Sequence, residues 1–151
     1  MTGAAAAAAR WAAAWKVGWE ALDPDPILAC YAADALLSTE PYRVPYRGVA
    51  GVREYVTSVF AEEDGPRVWM ADPIVEGDRA AVSWWACLRE GGVETTLAGT
   101  SVLRFGADGL VITQWDTWNR WSGQREPPPG SPFSADANRT DVRRASRAPG
   151  S

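Results

Sequence analysis

The chain has 151 residues, one domain's worth, of which 46% are apolar and 23% charged, so most of it can build a core. A formal charge of −4 argues against the basic face of a nucleic-acid-binding domain, and no run approaches the roughly eighteen consecutive apolar residues that would span a membrane. Histidine is absent, which removes Ser-His-Asp and Cys-His catalysis and any histidine-ligated metal, so carboxylates, arginines, hydroxyls and indoles must carry whatever chemistry occurs.

The alanine run at 4–9 lacks the charged flank and leucine-rich centre of a secretory signal. Trp11, Trp15, Trp19 and Leu22 then recur at helical spacing, which predicts an amphipathic first helix ending before Asp23-Pro24. Asp25 is a good N-cap and Pro26 suits a first helical position, so a second helix is expected over 25–33 and a short strand over 35–38. Pro41 and Pro45 hold the segment STEPYRVPYRG extended. Gly48 precedes a third helix with Val52, Tyr55, Val56, Val59 and Phe60 on one face. The acidic run Glu62-Glu63-Asp64 has no metal-ligand spacing and reads as that helix's solvated end.

Beyond Asp64-Gly65-Pro66 the pattern becomes β. Strands are expected over 67–75, 79–88, 94–105 and 110–120, separated by the turn signals Gly77-Asp78, Gly91-Gly92 and Asp108-Gly109. Helices followed by a meander of long strands make an α+β fold, and the sheet must curl, because three helices cannot cover four long strands laid flat. Residues 1–121 carry a charge of −6 and residues 122–151 a charge of +2. The second segment opens with Pro127-Pro128-Pro129-Gly130 and has only Phe133 and Val142 as large apolar residues. The folded domain is therefore expected over 1–123 and a mostly disordered tail over 124–151, with the part up to Phe133 able to lie against the domain. Two short tail patterns, Asn138-Arg139-Thr140 and Arg143-Arg144-Ala145-Ser146, are too common to carry weight. Cys30 and Cys87, far apart and without CxxC spacing, read as reduced thiols of a cytosolic protein.

The order ILACYAADALLS, RGVAGVREYV, VEGDRAAVSWWA and TLAGTSVLRFGADGLVITQWDTWN resembles the nuclear transport factor 2-like superfamily, and within it the SnoaL-like and ketosteroid-isomerase-like proteins of actinobacteria. The resemblance spans roughly residues 8–121 and implies a cone. A curved, antiparallel sheet, mixed only through one short strand, is wrapped by three N-terminal helices around a deep apolar pocket, commonly in a homodimer. Strand alternation then places Val68 and Met70, Val82 and Trp84, Gly99 and Ser101, and Ile112, Gln114, Asp116 and Trp118 inward. Trp69, Trp85 and Trp115 face outward, where a dimer packed sheet to sheet would cover them, unless Pro127–Pro129 and Phe133 fold back over that patch.

Asp116 matches the last-strand aspartate that SnoaL-like cyclases and the limonene epoxide hydrolase type use, and burial among indoles would raise its pKa into the range of a general acid or base. Gln114 and Ser101 are the expected hydrogen-bond donors beside it. The general base, tyrosine and aspartic acid of ketosteroid isomerase fall on Thr39, Trp15 and Ser101, so that mechanism is not expected, and the Asp-Arg-Asp relay of epoxide hydrolysis has only Asp116 in place. Glu40 could act as a base only if the local register moved by one residue. At the mouth of the cone, Tyr42 and Arg43 are candidates for binding ligand, although Arg43 could equally form a rim ion pair with Glu40 or Glu62. Trp15, Trp19 and Phe60 complete the expected ligand wall. Two readings follow: a cofactor-free and metal-free isomerase, cyclase or dehydratase acting on a small apolar carbonyl or hydroxyl compound, or a non-catalytic ligand-binding or dimeric interaction module.

Overall fold

A computed structural model describes residues 3–133. Its elements in chain order are α1 (Gly3–Ala21), α2 (Asp25–Leu28), β1 (Tyr31–Ser38), β2 (Tyr46–Arg47), α3 (Gly48–Glu62), β3 (Glu63–Met70), β4 (Ile74–Glu76), β5 (Arg79–Glu90), β6 (Val93–Phe105) and β7 (Val111–Ser122). The seven strands form one sheet in the order β2-β1-β7-β6-β5-β3, with β4 added to β5. Only the β1–β7 pair is parallel; every other pairing is antiparallel. The α+β architecture, the curled sheet and the helices gathered before it are those expected from the sequence.

The first helix carries Ala8, Trp11, Trp15 and Trp19 into the core at helical spacing. Gly18 sits where α2 crosses it, and a Cβ there would lie 2.8 Å from both the Asp23 carbonyl and Ile27 Cγ1, so only glycine lets the two helices approach this closely. The second helix is shorter than its sequence predicts. It stops at Leu28 because the Cys30 carbonyl accepts the Val111 N–H at 2.8 Å, starting the parallel pairing with β7. Tyr31 therefore opens a strand, not a helical turn. The cap differs too: Asp23 Oδ1, not Asp25, accepts a backbone N–H at 3.0 Å, from Asp25 itself.

The strand expected over 67–75 is two strands. Pairing of β3 with β5 ends near Met70, Ala71 makes one last bond to the Ser83 carbonyl at 2.9 Å, and Pro73, with no N–H, marks the break before β4. In β7 a bulge falls between Val111 and Thr113, opposite Arg104 and Phe105. It moves Val111 into the core and leaves Ile112 half-buried, overturning the inward placement of Ile112, while alternation beyond it runs undisturbed through Gln114, Asp116 and Trp118.

Residues 124–133 lie along the convex face, covering part of the outward patch. Trp85 Nε1 donates to the Arg125 carbonyl at 2.8 Å and its ring meets Phe133 at 6.1 Å, while Arg67 pairs with Glu126 at 2.6 Å. The fold-back alternative thus holds for Trp85, whereas Trp115 remains 47% exposed. The predicted disorder beyond Phe133, and the two short patterns there, lie outside the described residues. Among the described residues no helix is long and apolar enough to cross a membrane.

Candidate functional site

Helix α1, helix α3 and the concave face of the sheet enclose a cavity of about 290 Å³. Indoles from three elements form its walls: Trp11, Trp15 and Trp19 from α1, Trp84 from β5 and Trp118 from β7. The first four stack in sequence, with ring centroids 5.9, 6.1 and 5.6 Å apart, tilted in the first contact and edge-on in the next two. Such a wall is rigid, because each ring is fixed by the next.

Asp116 lies in the floor of this cavity, 7% exposed. Ser101 Oγ donates to its Oδ1 at 2.7 Å and Gln114 Nε2 donates to the same oxygen at 2.9 Å. The direction of both bonds follows from the groups behind them. An indole N–H can only donate, so Trp84 Nε1, 3.1 Å from Ser101 Oγ, leaves the Ser101 hydroxyl hydrogen for Asp116. Likewise Trp11 and Trp15 donate to the Tyr31 hydroxyl at 3.1 and 3.0 Å, and Tyr31 donates to Gln114 Oε1. Trp11 also donates to that Oε1 at 3.3 Å, which turns the Gln114 amide so that its NH₂ faces Asp116. Oδ2 of Asp116 accepts no hydrogen bond among the described residues and borders the cavity. Burial dominates the two donated bonds and pushes the carboxyl up to about 6.

A second buried carboxyl shares the cavity. Glu63 is 7% exposed and accepts the Trp19 Nε1 hydrogen bond at 2.6 Å through Oε2. Burial, together with Glu90 opposite it on β5, pushes Glu63 up to about 7, against the opposing effects of the Trp19 bond and Arg120. This corrects the reading of Glu62-Glu63-Asp64 as a solvated helix end: Glu62 and Asp64 are exposed, Glu63 is not. Glu63 is not on the helix: its backbone is extended, at φ −103° and ψ 149°, and it opens β3, so the change from helix to strand at this residue is what turns its side chain inward.

Of the other residues singled out in the sequence, Trp15, Trp19, Thr39, Glu40, Arg43 and Phe60 line the cavity, as do Met70, Trp84, Ser101, Gln114 and Trp118. Four do not. Tyr42 is 99% exposed at the tip of the proline-rich loop. Val68 and Val82 are fully buried in the core, where α1 packs on β3 and β5. Gly99 is closed in by its neighbours, since a Cβ there would come within 2.8 Å of the Trp84 ring and 2.7 Å of Trp118 Cβ. Of the alternatives for Arg43, the ion pair with Glu40 is the one formed, at 3.1 Å on the rim. Thr39 contributes its carbonyl, which accepts the Trp118 Nε1 hydrogen bond at 2.9 Å. The single hydroxyl hydrogen of Ser101 is committed to Asp116, so Ser101 positions the carboxylate and has no proton left for a substrate oxygen.

Sequence reasoning missed Tyr31, taken for helix, and the contributions of Trp11, Tyr46, Tyr55 and Arg120 to the cavity. Among the described residues no group of three or more acidic or cysteine side chains is arranged to hold a metal ion.

The arrangement has relatives. The profile of the SnoaL-like domain family matches residues 8–114. Rv0760c from Mycobacterium tuberculosis superimposes with a TM-score of 0.67 at 17% identity, covering 82% of this chain and 98% of the other. SalBIII, described as an epoxide hydrolase/cyclase-like enzyme of pyran ring formation in the polyether salinomycin, gives 0.64 at 15% identity over 74% and 92%. A nuclear transport factor 2-like protein of unknown function from Exiguobacterium sp. 255-15 gives 0.64 at 16% identity over 75% and 98%. No curated protein matches the chain in sequence. At these identities the structures share the fold, and the profile match over residues 8–114 places the chain in the SnoaL-like domain family, on the nuclear transport factor 2-like fold.

Proposed function

We propose that the protein is a cofactor-independent enzyme that moves a proton on a small, largely apolar carbonyl or hydroxyl compound, with Asp116 as the acid–base group. The observation that carries this reading is the state of Asp116: a buried carboxyl with no cation beside it among the described residues, one oxygen taken by two donors and the other bordering the cavity. A carboxylate with only a structural part would pair with an arginine or cap a neighbouring loop, and Asp116 does neither among the described residues. Because Oδ1 is occupied, the exchanging proton resides on Oδ2. With a pKa near 6, the group is mostly ionised at neutral pH yet basic enough to accept a proton from a carbon next to a carbonyl. The C–H electron pair moves into the enolate, and the negative charge collects on the carbonyl oxygen.

Tyr55 is the best-placed donor for that oxygen. It lines the cavity, feels the charges of Asp116, Glu63 and Glu40, and burial holds its hydroxyl protonated well above the usual tyrosine range. Isomerisation, aldol-type cyclisation and dehydration all use this enolate chemistry, and the description of SalBIII as cyclase-like agrees with that class.

The test is deuterium incorporation from D₂O into a panel of apolar, enolisable cyclic ketones, followed by proton NMR. The wild type should exchange at least one of them well above buffer. Asp116→Asn should slow that exchange by about a thousandfold, and Tyr55→Phe by about tenfold to a hundredfold. Exchange that Asp116→Asn sustains at the wild-type rate would overturn the proposal.

The homodimer suggested by the resemblance is part of the same proposal in a reduced form. Trp115 and Val102, cross-strand partners on β7 and β6, are both exposed on the convex face, and they support pairing centred on Trp115, away from the Trp85 region that residues 124–133 cover. Sedimentation equilibrium of the wild type against Trp115→Lys reads this directly, with a monomeric wild type as the contrary result.

A further inference from the structure

The cavity holds more negative charge than its own cations neutralise. Five carboxyls line it, from Glu40, Glu62, Glu63, Glu90 and Asp116, against two guanidiniums, from Arg43 and Arg120. Both arginines are already matched: Arg43 to Glu40 at 3.1 Å and Arg120 to Glu90 at 2.8 Å. Among the described residues, Glu62, Glu63 and Asp116 form no ion pair, although the Arg120 charge, shared with Glu90, also reaches Glu63. Glu62 is exposed at the rim, but Glu63 and Asp116 are each more than nine-tenths buried, and each has an oxygen without a hydrogen-bond partner that borders the cavity.

The surroundings of these carboxyls are aromatic. Trp19 reaches Glu63 with its N–H and packs edge-on against Trp84, whose N–H reaches Ser101 beside Asp116, so this pair of indoles lies between the two carboxyls. At the rim the arrangement already accepts a cation: the Arg120 guanidinium carbon stands 5.6 Å from the centre of the Trp118 ring. An uncharged ligand closing over Glu63 and Asp116 would strip their remaining water and leave both without an ion-pair partner. An anionic ligand would be repelled. A cation with apolar substituents meets ring faces and a carboxylate together, the combination that recognises ammonium groups.

We propose that the ligand of this cavity carries a quaternary or protonated tertiary ammonium group, seated at the Glu63 end against the indoles. The substrate class narrows accordingly to amines with an apolar skeleton. This rests on the proposed proton transfer only for the carbonyl or hydroxyl that such a compound presents to Asp116; the cation-binding half stands independently.

The full-length protein is titrated at pH 8 with benzyltrimethylammonium and, separately, with its uncharged isostere neopentylbenzene, following tryptophan fluorescence. The cation should bind at least about tenfold more tightly. The preference should shrink toward parity at pH 5, as Glu63 and Asp116 protonate. The other charged groups facing Glu63 are Glu90 on β5, tied to Arg120 on β7 at 2.8 Å, and Glu62 at the rim. Glu63→Gln should abolish the preference at pH 8 while leaving neopentylbenzene affinity, which reports an intact cavity, within about twofold. Asp116→Asn should keep most of it. Equal or tighter binding of neopentylbenzene by the wild type at pH 8 overturns the proposal without any variant. A preference that survives Glu63→Gln, or that Asp116→Asn alone removes, overturns the placement at Glu63. Deuterium exchange without cation preference would leave proton transfer standing and sink this inference, and cation preference without exchange does the reverse.

Discussion

Trp84 Nε1 lies 3.1 Å from Ser101 Oγ, and this one donor-only contact decides which way the Ser101 proton points. With its acceptor side taken by the indole, the hydroxyl gives its hydrogen to Asp116 Oδ1 at 2.7 Å, where it stabilises the ionised carboxyl. Removing it with Ser101→Ala takes away one of two donors without adding solvent. The Asp116 pKa should then rise from about 6 by roughly one unit, the worth of one hydrogen bond to a charged group. Carboxyl-carbon NMR, with Asp116→Asn to assign the signal, measures it. An unchanged or lower value would mean that water replaces the hydroxyl.

Two buried carboxyls raised above their ordinary values make stability depend on pH in a definite direction. Asp116 rises from 3.8 to about 6 and Glu63 from 4.5 to about 7. A group whose folded pKa exceeds its unfolded one binds more protons when folded, so its contribution is complete below the unfolded value and disappears as pH rises through the folded one. Stability should fall between about pH 4 and pH 7, by on the order of 2–3 kcal/mol for each group. Glu63→Gln keeps an acceptor for Trp19 and should raise the urea midpoint at pH 8 while changing it little at pH 4.5. A variant less stable than wild type at pH 8 would contradict the assignment.

The cavity wall depends on an absent side chain. A Cβ on Gly99 would lie 2.4 Å from the Thr117 carbonyl oxygen and 2.7 Å from Trp118 Cβ, and a backbone atom cannot swing aside as a side chain can. Gly99→Ala is expected to force β6 from β7 and cost about 1–3 kcal/mol in urea unfolding, with loss of ligand-induced fluorescence change as Trp84 and Trp118 separate. Full stability would show that the strands shift at no cost.

How far the sequence could be read depended on the period of the element and on what interrupted it. Alternation along β5, β6 and β7 placed Trp84, Ser101, Gln114 and Asp116 inward correctly, because long antiparallel strands with one buried face leave no freedom of register. Ile112 escaped because a bulge is a local insertion that no alternation rule anticipates. Tyr31 escaped because Asp25-Pro26 signals a helix start truthfully, whereas the helix's end is set by a bond from Val111, some eighty residues away. Glu63 escaped because its charge suggested solvent and because the helix gives way to β3 at this residue; its buried hydrogen-bond partner is Trp19, on a different helix. Charged residues are read outward by default, and the exceptions need a partner that only the fold supplies.

Cys87 offers a reading of how firmly residues 124–133 are held. Its thiol has no solvent exposure and donates to the Arg125 carbonyl at 3.2 Å, although its strand position faces away from the cavity. The cover is fastened by Trp85 against Phe133 and by Arg67 against Glu126. Loosening it with Phe133→Ala and Glu126→Ala together should make Cys87 react with a disulfide reagent about tenfold faster, in a Cys30→Ser background that leaves one thiol to follow. The exposed ion pair contributes little by itself, so Glu126→Ala alone should change the rate less than Phe133→Ala alone. An equal rate in all four proteins would mean that the thiol is shielded by the sheet and its neighbour Thr96, 3.9 Å away, and that the segment only rests on the surface.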